Sequence, residues 1–330
     1  MTPNSAKSEI IGPVLRIENL TVEFGSGHRA LRAVDSVSFN IGRGETFCLV
    51  GESGCGKTAT ALSIGRLLPT PPACHVKGEI WLNDRDVLKM RESEVRQIRG
   101  GVVSYVFQEP GTSLNPAFTV GSHIKDALNL HRPDCATDEE VLRLLNLVGI
   151  SAPESRMHNY PHQISGGMQQ RVMIAAALAC EPKLLVADEP TTALDVTIQA
   201  QILELLQDIK NRLGMSVLLI THNLGIVSDV ADRVAVMYAG QIVEIAPARD
   251  LLKRPLHPYT RALINSVPKL GHAAAELATI PGTVPPPGAM PRGCRFHPRC
   301  ALAQSDCAEN APELKQVEPG RWVRCPYWQL

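Results

Sequence analysis

One segment constrains the fold of this chain more than any other. Residues 51–58 read GESGCGKT and fit the pattern G-x-x-x-x-G-K-[ST], which cradles phosphate when it lies between a strand and a helix. The apolar run TFCLV precedes the motif, and the helix-compatible run TATALSIGRLL begins at its last residue. The sequence therefore predicts a helix-covered sheet with a phosphate-binding loop (P-loop) at the end of one strand.

The residue types in this loop suit a nucleoside triphosphate. Its glycines allow backbone N–H groups to converge on phosphate oxygens, Lys57 can reach the β- and γ-phosphates, and the Thr58 hydroxyl can bind Mg²⁺. The same environment predicts that the Cys55 thiol is activated as a thiolate. The residues expected to contact ATP and its metal are Gly51, Glu52, Ser53, Gly54, Cys55, Gly56, Lys57 and Thr58.

A second motif adds the acids that hydrolysis needs. Residues 183–190, KLLVADEP, form an apolar run that ends in Asp188 and Glu189. Asp188 could hold Mg²⁺ through water, and Glu189 could orient and deprotonate the attacking water. Taken alone, such an acidic pair could also cap a helix. Together with the P-loop it indicates a nucleotide-hydrolysing site.

Composition limits the class of partner. The 33 basic and 33 acidic residues give a net charge of zero, which does not favour nucleic acid as the main partner. With 44% hydrophobic residues the chain can bury a sizeable core. The longest apolar run, at 172–180, is about half of the ~18 residues that cross a bilayer, so we expect a chain without a membrane span.

The pattern along the chain predicts an α/β fold. Residues 14–24 and 34–41 alternate apolar and polar positions and indicate a small antiparallel sheet. Near-continuous apolar runs at 46–50, 102–107, 184–187 and 217–220 are typical of parallel strands covered on both faces. Residues 115–165 carry helical spacing, as in EEVLRLLNLV at 139–148, and 233–246 resemble a hairpin that turns at Ala239 and Gly240. Beyond Pro255, proline and glycine predict a linker.

The segment ISGGMQQ at 164–170 resembles the signature motif of ATP-binding-cassette (ABC) ATPases. Further residues match that family in order: Phe24 as the aromatic residue that stacks on adenine, Gln108 of FQEP, Asp195 of TALD and His222 of ITHN. The resemblance implies an ABC-type P-loop NTPase with a RecA-like parallel core, an antiparallel β subdomain and a helical subdomain. It implies an N-terminal tail at 1–13, a nucleotide-binding domain at 14–254 with its helical subdomain at about 109–165, and a C-terminal extension at 255–330.

The resemblance also implies how the site works. Two such domains would face each other head to tail, and Ser165, Gly166 and Gly167 of one would contact ATP held by the P-loop of the other. Glu189, His222 and Gln108 would be catalytic, and Asp195 would take part in binding ATP and Mg²⁺. Thr58, Gln108 and Asp188 would hold Mg²⁺. The chain would then need a second cassette to hydrolyse ATP well.

Other residues narrow the family further. SLNP at 113–116, YPHQ at 160–163, HPYT at 257–260 and the tail CRFHPRC at 294–300 resemble the ATPases of dipeptide and oligopeptide permeases. The partners implied are a second, related ATPase, two permease subunits and an extracytoplasmic peptide-binding protein, with this chain at the cytoplasmic face of the inner membrane. Nickel and glutathione importers share much of the pattern and stay open as alternatives, as does, less favoured, a soluble non-transport ABC ATPase.

Four cysteines lie close to the C-terminus. Cys294, Cys300, Cys307 and Cys325 are spaced C-x₅-C-x₆-C-x₁₇-C in a proline-rich segment that is too short to build its own apolar core. Short C-x₂₋₄-C zinc knuckles are absent from it. Four thiolates at this loose spacing can bind a [4Fe–4S] cluster, and the resemblance to peptide-permease ATPases implies one. We therefore expect a small Cys-rich module at 294–325 that binds a [4Fe–4S] cluster, ahead of Zn²⁺ and of four free thiols.

Overall fold

The computed structural model describes residues 12–27, 30–192, 194–266 and 279–330, so most of the tail expected at 1–13 lies outside the described residues. The strands are β1 Leu15–Phe24, β2 Leu31–Ile41, β3 Thr46–Val50, β4 Cys74–Leu82, β5 Arg85–Asp86, β6 Val103–Val106, β7 Leu184–Asp188, β8 Ser216–Thr221, β9 Arg233–Tyr238, β10 Gln241–Pro247, β11 Lys315–Glu318 and β12 Arg321–Val323. The helices are α1 Lys57–Ile64, α2 Glu92–Ile98, α3 Pro110–Ser113, α4 Val120–His131, α5 Asp138–Leu147, α6 Pro153–Arg156, α7 Gly166–Leu178, α8 Val196–Leu213, α9 Val227–Val230, α10 Ala248–Lys253 and α11 Pro258–Asn265.

An eight-stranded mixed sheet forms the centre of the molecule, in the order β11-β12-β10-β9-β3-β8-β7-β6. Five neighbouring strands, β9, β3, β8, β7 and β6, run parallel to one another. Strand β10 pairs antiparallel with β9, and β12 pairs antiparallel with β10. On β3, Phe47 and Leu49 face one core cluster, while Cys48 and Val50 face the other. Burial on both faces explains the continuous apolar runs. The structure confirms the four predicted parallel strands and the hairpin at Ala239 and Gly240.

A second sheet of four antiparallel strands, β2-β1-β4-β5, packs over one face of the central sheet. The patterns at 14–24 and 34–41 predicted β1 and β2, but nothing predicted β4. Its sequence, CHVKGEIWL, carries Gly78 and three charged or histidine side chains on a strand that is only partly buried. Pairing with β1, from Leu15 opposite Leu82 to Phe24 opposite Cys74, compensates for that weak local preference.

Helices occupy the chain between β6 and β7, and several pack on α7. The predicted helix at 139–148 is confirmed as α5, whose first turn contains three acids. Thr119 and Thr137 accept backbone N–H bonds of 3.3 Å at the starts of α4 and α5. Within the described residues, none of the helices is both long enough and apolar enough to cross a bilayer.

The linker predicted beyond Pro255 is wrong for its first part, because α11 begins there. His257 accepts a 3.1 Å bond from the Tyr259 N–H at the start of this helix, and Pro258 occupies its first position, where a missing N–H costs nothing. Residues 281–293 have no helix or strand, as their proline content predicted.

The prediction of a separate Cys-rich module is not supported. Strand β12 pairs with β10 and extends the central sheet, and Phe296 is 3% exposed in the main core. The Phe296 ring lies 5.2 Å from Tyr238 and 5.3 Å from Tyr259. The tail therefore shares the core of the large domain and does not require a metal to replace one.

Candidate nucleotide-binding site

The P-loop connects β3 to α1, as its sequence predicts. At its end Gly56 has a φ of 106°, and a Cβ there would lie 2.6 Å from the Ala33 carbonyl oxygen. Only glycine fits this position. A cavity of about 350 Å³ opens above the loop, and its lining combines P-loop residues with two of the three residues expected to be catalytic, Gln108 and Glu189; His222 does not line it. The lining residues are Ala33, Ser53, Gly54, Gly56, Lys57, Thr58, Ala59, Gln108 and Glu189.

Lys57 lies inside the curve of the loop. Its side-chain Nζ donates to the backbone oxygens of Gly51 at 2.7 Å and Glu52 at 3.1 Å, and the residue is only 5% exposed. A buried ammonium held by neutral carbonyls favours an anionic partner. This arrangement places a positive charge at the floor of the phosphate cavity.

Asp188 ends β7 and is 8% exposed. Its Oδ1 has no hydrogen-bond partner, and burial raises its pKa, while a hydrogen bond from the Thr58 side chain acts in the opposite direction. A buried carboxylate oxygen without a donor is costly unless a cation or a water binds it. Asp188 and Thr58 thus fit a Mg²⁺ ion, which prefers oxygen ligands.

Glu189 brings together the three residues expected to be catalytic. Its Oε2 accepts from Gln108 Nε2 at 3.3 Å and from Thr192 Oγ1 at 2.9 Å, and it lies 3.1 Å from His222 Nδ1. The Glu189 backbone has a left-handed φ of 47°, an uncommon conformation outside glycine. The carboxylate is therefore held in one position at the edge of the cavity.

The other residues expected at the site lie elsewhere on the surface. Ser165 caps the N-terminus of α7, and Gly166 and Gly167 form its first turn; all three are exposed or half-buried. Asp195 precedes α8 and is exposed, and Phe24 ends β1 and is half-buried. In the part of the chain that the structure describes, none of these five residues lines the P-loop cavity.

The prediction of an activated Cys55 is wrong. The residue is fully buried beneath the loop, and burial raises the pKa of its thiol despite Lys57, whose Nζ is 4.0 Å from the sulfur. The loss of hydration outweighs the nearby positive charge. Cys55 acts as a small packing residue.

Sequence reasoning missed two residues that hold the P-loop from outside. The Glu52 N–H donates to the Tyr259 hydroxyl at 3.0 Å, and the Glu52 carboxylate forms a double ion pair with Arg299. The only hint in the sequence was an acid within a loop that binds phosphate, since such a charge calls for a nearby cation.

The four tail cysteines line one cavity of about 460 Å³, together with residues such as Phe296, Tyr327 and Trp328. Burial raises the pKa of Cys294 and Cys300, and that of Cys325 to about 11. Across the described ranges, no three His, Cys, Asp or Glu side chains are placed to hold a metal ion. The expected cluster is therefore not seen as a formed site.

Two family models match the chain. The model described as "ABC transporter" matches residues 34–192, which include the P-loop, Gln108, the signature segment and Glu189. The model described as "Oligopeptide/dipeptide transporter, C-terminal region" matches residues 243–307, which include α11 and the segment CRFHPRC.

Curated relatives align over almost the full length. The oligopeptide transport ATP-binding protein AppD of Bacillus subtilis is 49% identical over 314 residues, covering 94% of this chain and 96% of the relative. The dipeptide transport ATP-binding protein DppD of the same organism is 49% identical over 313 residues, covering 94% and 91%. The DppD protein of Haemophilus influenzae is 46% identical over 314 residues, covering 94% of each.

Solved structures show the same fold. A post-hydrolysis dimer of the ATP-binding cassette MJ0796 bound to ADP and Pi is 26% identical, with a TM-score of 0.62, over 71% of this chain and 99% of that one. CbiO1 from Clostridium perfringens, part of the ABC transporter complex cbiONQ, is also 26% identical, with a TM-score of 0.63, over 73% and 91%.

Proposed function

Because this chain belongs to the ATP-binding proteins of ABC transporters, we propose that it is the ATP-hydrolysing subunit of an importer for dipeptides or oligopeptides. The observation that carries the substrate class is the match of residues 243–307 to the oligopeptide and dipeptide transporter region, beside full-length relatives named for those substrates. This matched region lies outside the ATP site. It is therefore more informative about the substrate class than the ATP site, which cassettes of different transporters share.

The binding half of the mechanism rests on the P-loop. Backbone N–H groups of residues 51–58 and the Lys57 ammonium hold the ATP phosphates, and Phe24 stacks on the adenine. Thr58 and Asp188 would hold Mg²⁺, with Gln108 as a further oxygen ligand. When bound, this ion neutralises phosphate charge and orients the γ-phosphate. The unpartnered Asp188 oxygen supports this role.

The hydrolytic half rests on Glu189. Its carboxylate accepts a proton from the attacking water, and the neighbouring Thr192 hydroxyl and Gln108 amide hold it in place. His222 lies on the solvent side of the same oxygen and is available to contact the γ-phosphate. The convergence of these side chains on one Glu189 oxygen supports a single hydrolytic centre.

The signature residues complete the site of a second cassette. Ser165 presents its hydroxyl at the exposed N-terminus of α7, whose N–H groups attract phosphate. These groups lie outside the chain's own cavity, and MJ0796 is a cassette solved as a dimer. We therefore place ATP between two cassettes arranged head to tail, with Asp195 at their interface. The second cassette is a related chain, and the pair docks on two permease subunits at the cytoplasmic face of the inner membrane.

Reconstitution tests this function. The chain would be assembled in liposomes with a partner ATPase, two permease subunits and a substrate-binding protein from the same organism. We expect di- or oligopeptides to stimulate ATP hydrolysis several-fold through that binding protein. Stimulation by nickel or glutathione and not by peptides would assign the chain to a related importer.

We further propose that the cavity of the four cysteines binds a [4Fe–4S] cluster. Four thiols that line one cavity fit such a cluster in number and kind. They are not arranged as metal ligands in this structure, so binding would have to draw them together and deprotonate them. Since the tail already packs on the main core, the cluster would reinforce its local structure.

Anaerobic purification tests the cluster. The protein should contain about four iron and four sulfide per chain, with broad absorbance near ~400 nm. Cys300→Ser should remove that absorbance and leave ATP binding largely intact. Cys135→Ser, outside the cavity, is the matched control and should keep it. Folded protein with one zinc and no iron would contradict the proposal.

A further inference from the structure

The P-loop of this chain carries an acid where it binds polyanionic phosphate. Glu52 is the second residue of the motif, directly after Gly51, and its backbone oxygen is one of the two that hold Lys57. Glu52 does not line the P-loop cavity, but an uncompensated carboxylate in this loop would still lower the positive potential that attracts the phosphate groups of ATP. A cation paired with Glu52 would remove this effect.

Arg299 is that cation, and it comes from the C-terminal extension. Its Nη1 and Nη2 atoms lie 2.9 and 3.0 Å from Oε2 and Oε1 of Glu52, a bidentate pair. The Arg299 side chain is 6% exposed, and that of Glu52 29%. Such paired, partly buried contacts fix geometry as well as charge.

The guanidinium is itself held firmly. It lies over the Tyr238 ring at 5.7 Å from the centroid, and its Nε donates to the Pro281 carbonyl at 2.8 Å. Three residues earlier in the tail, Phe296 packs in the main core beside Tyr238 and Tyr259. Tyr259 in turn accepts the Glu52 N–H. Both the backbone and the side chain of Glu52 are thus bound by the C-terminal half of the chain.

We propose that Arg299 is a positioning residue for ATP binding: it neutralises Glu52, holds the P-loop, and links the Cys294–Cys300 segment to nucleotide affinity. This inference rests on the proposed binding of ATP at the P-loop. Arg299 does not line the P-loop cavity, so it would act through Glu52. Any change that displaces the segment, such as modification of the flanking thiols, should weaken ATP binding, and bound ATP should oppose the displacement to the same extent.

The same contacts would be present if Arg299 only attached the tail to the rest of the chain. The test must therefore separate the effect of neutralising Glu52 from an effect on stability. The affinity of the full-length chain for a fluorescent ATP analogue with Mg²⁺ would be measured for Arg299→Met, Glu52→Gln and the double variant. Arg324→Met is the control: Arg324 is another tail arginine that binds backbone oxygens of Ile242 and Pro312, away from the P-loop.

We expect Arg299→Met to weaken ATP binding about ten-fold, because it leaves the Glu52 charge without a partner. Higher salt should reduce this loss, since the repulsion is partly exposed. Glu52→Gln alone should stay within about three-fold of wild type, and the double variant should recover to a similar level because the repelling charge is gone. Arg324→Met should lower thermal stability without changing affinity.

Three outcomes would overturn the inference: unchanged affinity in Arg299→Met, a double variant no better than Arg299→Met, or an equal loss in Arg324→Met. If Arg299→Met does not fold, Arg299→Lys replaces it, since lysine keeps the charge and loses the bidentate geometry. We expect Arg299→Lys to lose less ATP affinity than Arg299→Met. Adding Glu52→Gln to Arg299→Lys should not restore the affinity, because the lysine already neutralises Glu52. A wild-type chain that binds no ATP would instead refute the proposed function.

Discussion

Glu189→Gln should lower ATP turnover by at least ~10²-fold and leave ATP binding intact, because a carboxamide cannot take the proton from water. The amide oxygen can still accept the Thr192 hydroxyl, 2.9 Å from the carboxylate in the native chain, so local structure should be retained. Turnover would be measured in the assembled transporter with the partner's site disabled in the same way.

The control for this variant is Glu204→Gln, an equivalent change on the exposed face of α8, which should hydrolyse ATP at the native rate. Trapped ATP should also hold two Glu189→Gln cassettes together, which sedimentation would detect. Near-normal hydrolysis by Glu189→Gln would exclude Glu189 as the general base.

Arg321→Met should reduce the free energy of unfolding by about 3–5 kcal/mol, because it leaves a charge buried without its partner. Arg321 is 4% exposed and lies 3.5 Å from Glu244, a fully buried residue of β10. Two N–H groups, of Leu256 and His257, also donate to Glu244 at 2.9 Å and would compensate only in part. Urea unfolding of the full chain measures the effect.

The free energy of unfolding should also depend on pH, in a direction that the environment of Glu244 determines. Burial raises the pKa of Glu244 in the folded chain, so the folded state holds that proton more tightly than the unfolded state. Stability contributed by this group therefore increases as pH falls. The deficit of Arg321→Met should therefore shrink as the pH is lowered, because protonation of Glu244 removes the buried charge.

Two further variants test the assignment of that cost to a buried charge. Arg321→Met combined with Glu244→Gln should recover more than half of the loss, since no charge then remains buried. Arg254→Met, which removes an exposed pair with Glu318, should leave the free energy of unfolding almost unchanged. A loss in Arg321→Met no larger than in Arg254→Met would mean that the pair does not stabilise the fold.

The local sequence was sufficient to predict those elements that depend only on residues near one another along the chain. The P-loop, the strand before Asp188 and the hairpin at Ala239 each follow from residues within about ten positions, and the structure has them at those places. Glu189, Gln108 and His222 come from three separate strand ends, and their meeting follows from the parallel sheet, whose carboxyl ends share one edge.

Long-range pairing was beyond that reasoning. Strand β4 has a weak pattern of its own and exists by pairing with β1, and β12 has three residues that mean little until they lie against β10. The tail was interpreted by its cysteines alone, although Phe296, Arg299 and Arg321 attach it to the core. Contacts between residues so distant along the chain leave no periodic signal.

Strand β12 is synthesised long after β10, with which it pairs, and this order affects folding during synthesis. Until residues 321–323 leave the ribosome, the outer edge of β10 has unpaired backbone groups beside apolar side chains such as Ile245. An exposed sheet edge of this kind promotes association between nascent chains. Chaperones that shield hydrophobic segments would be needed over that interval, and products that stop before β12 should be preferred targets of cellular proteases.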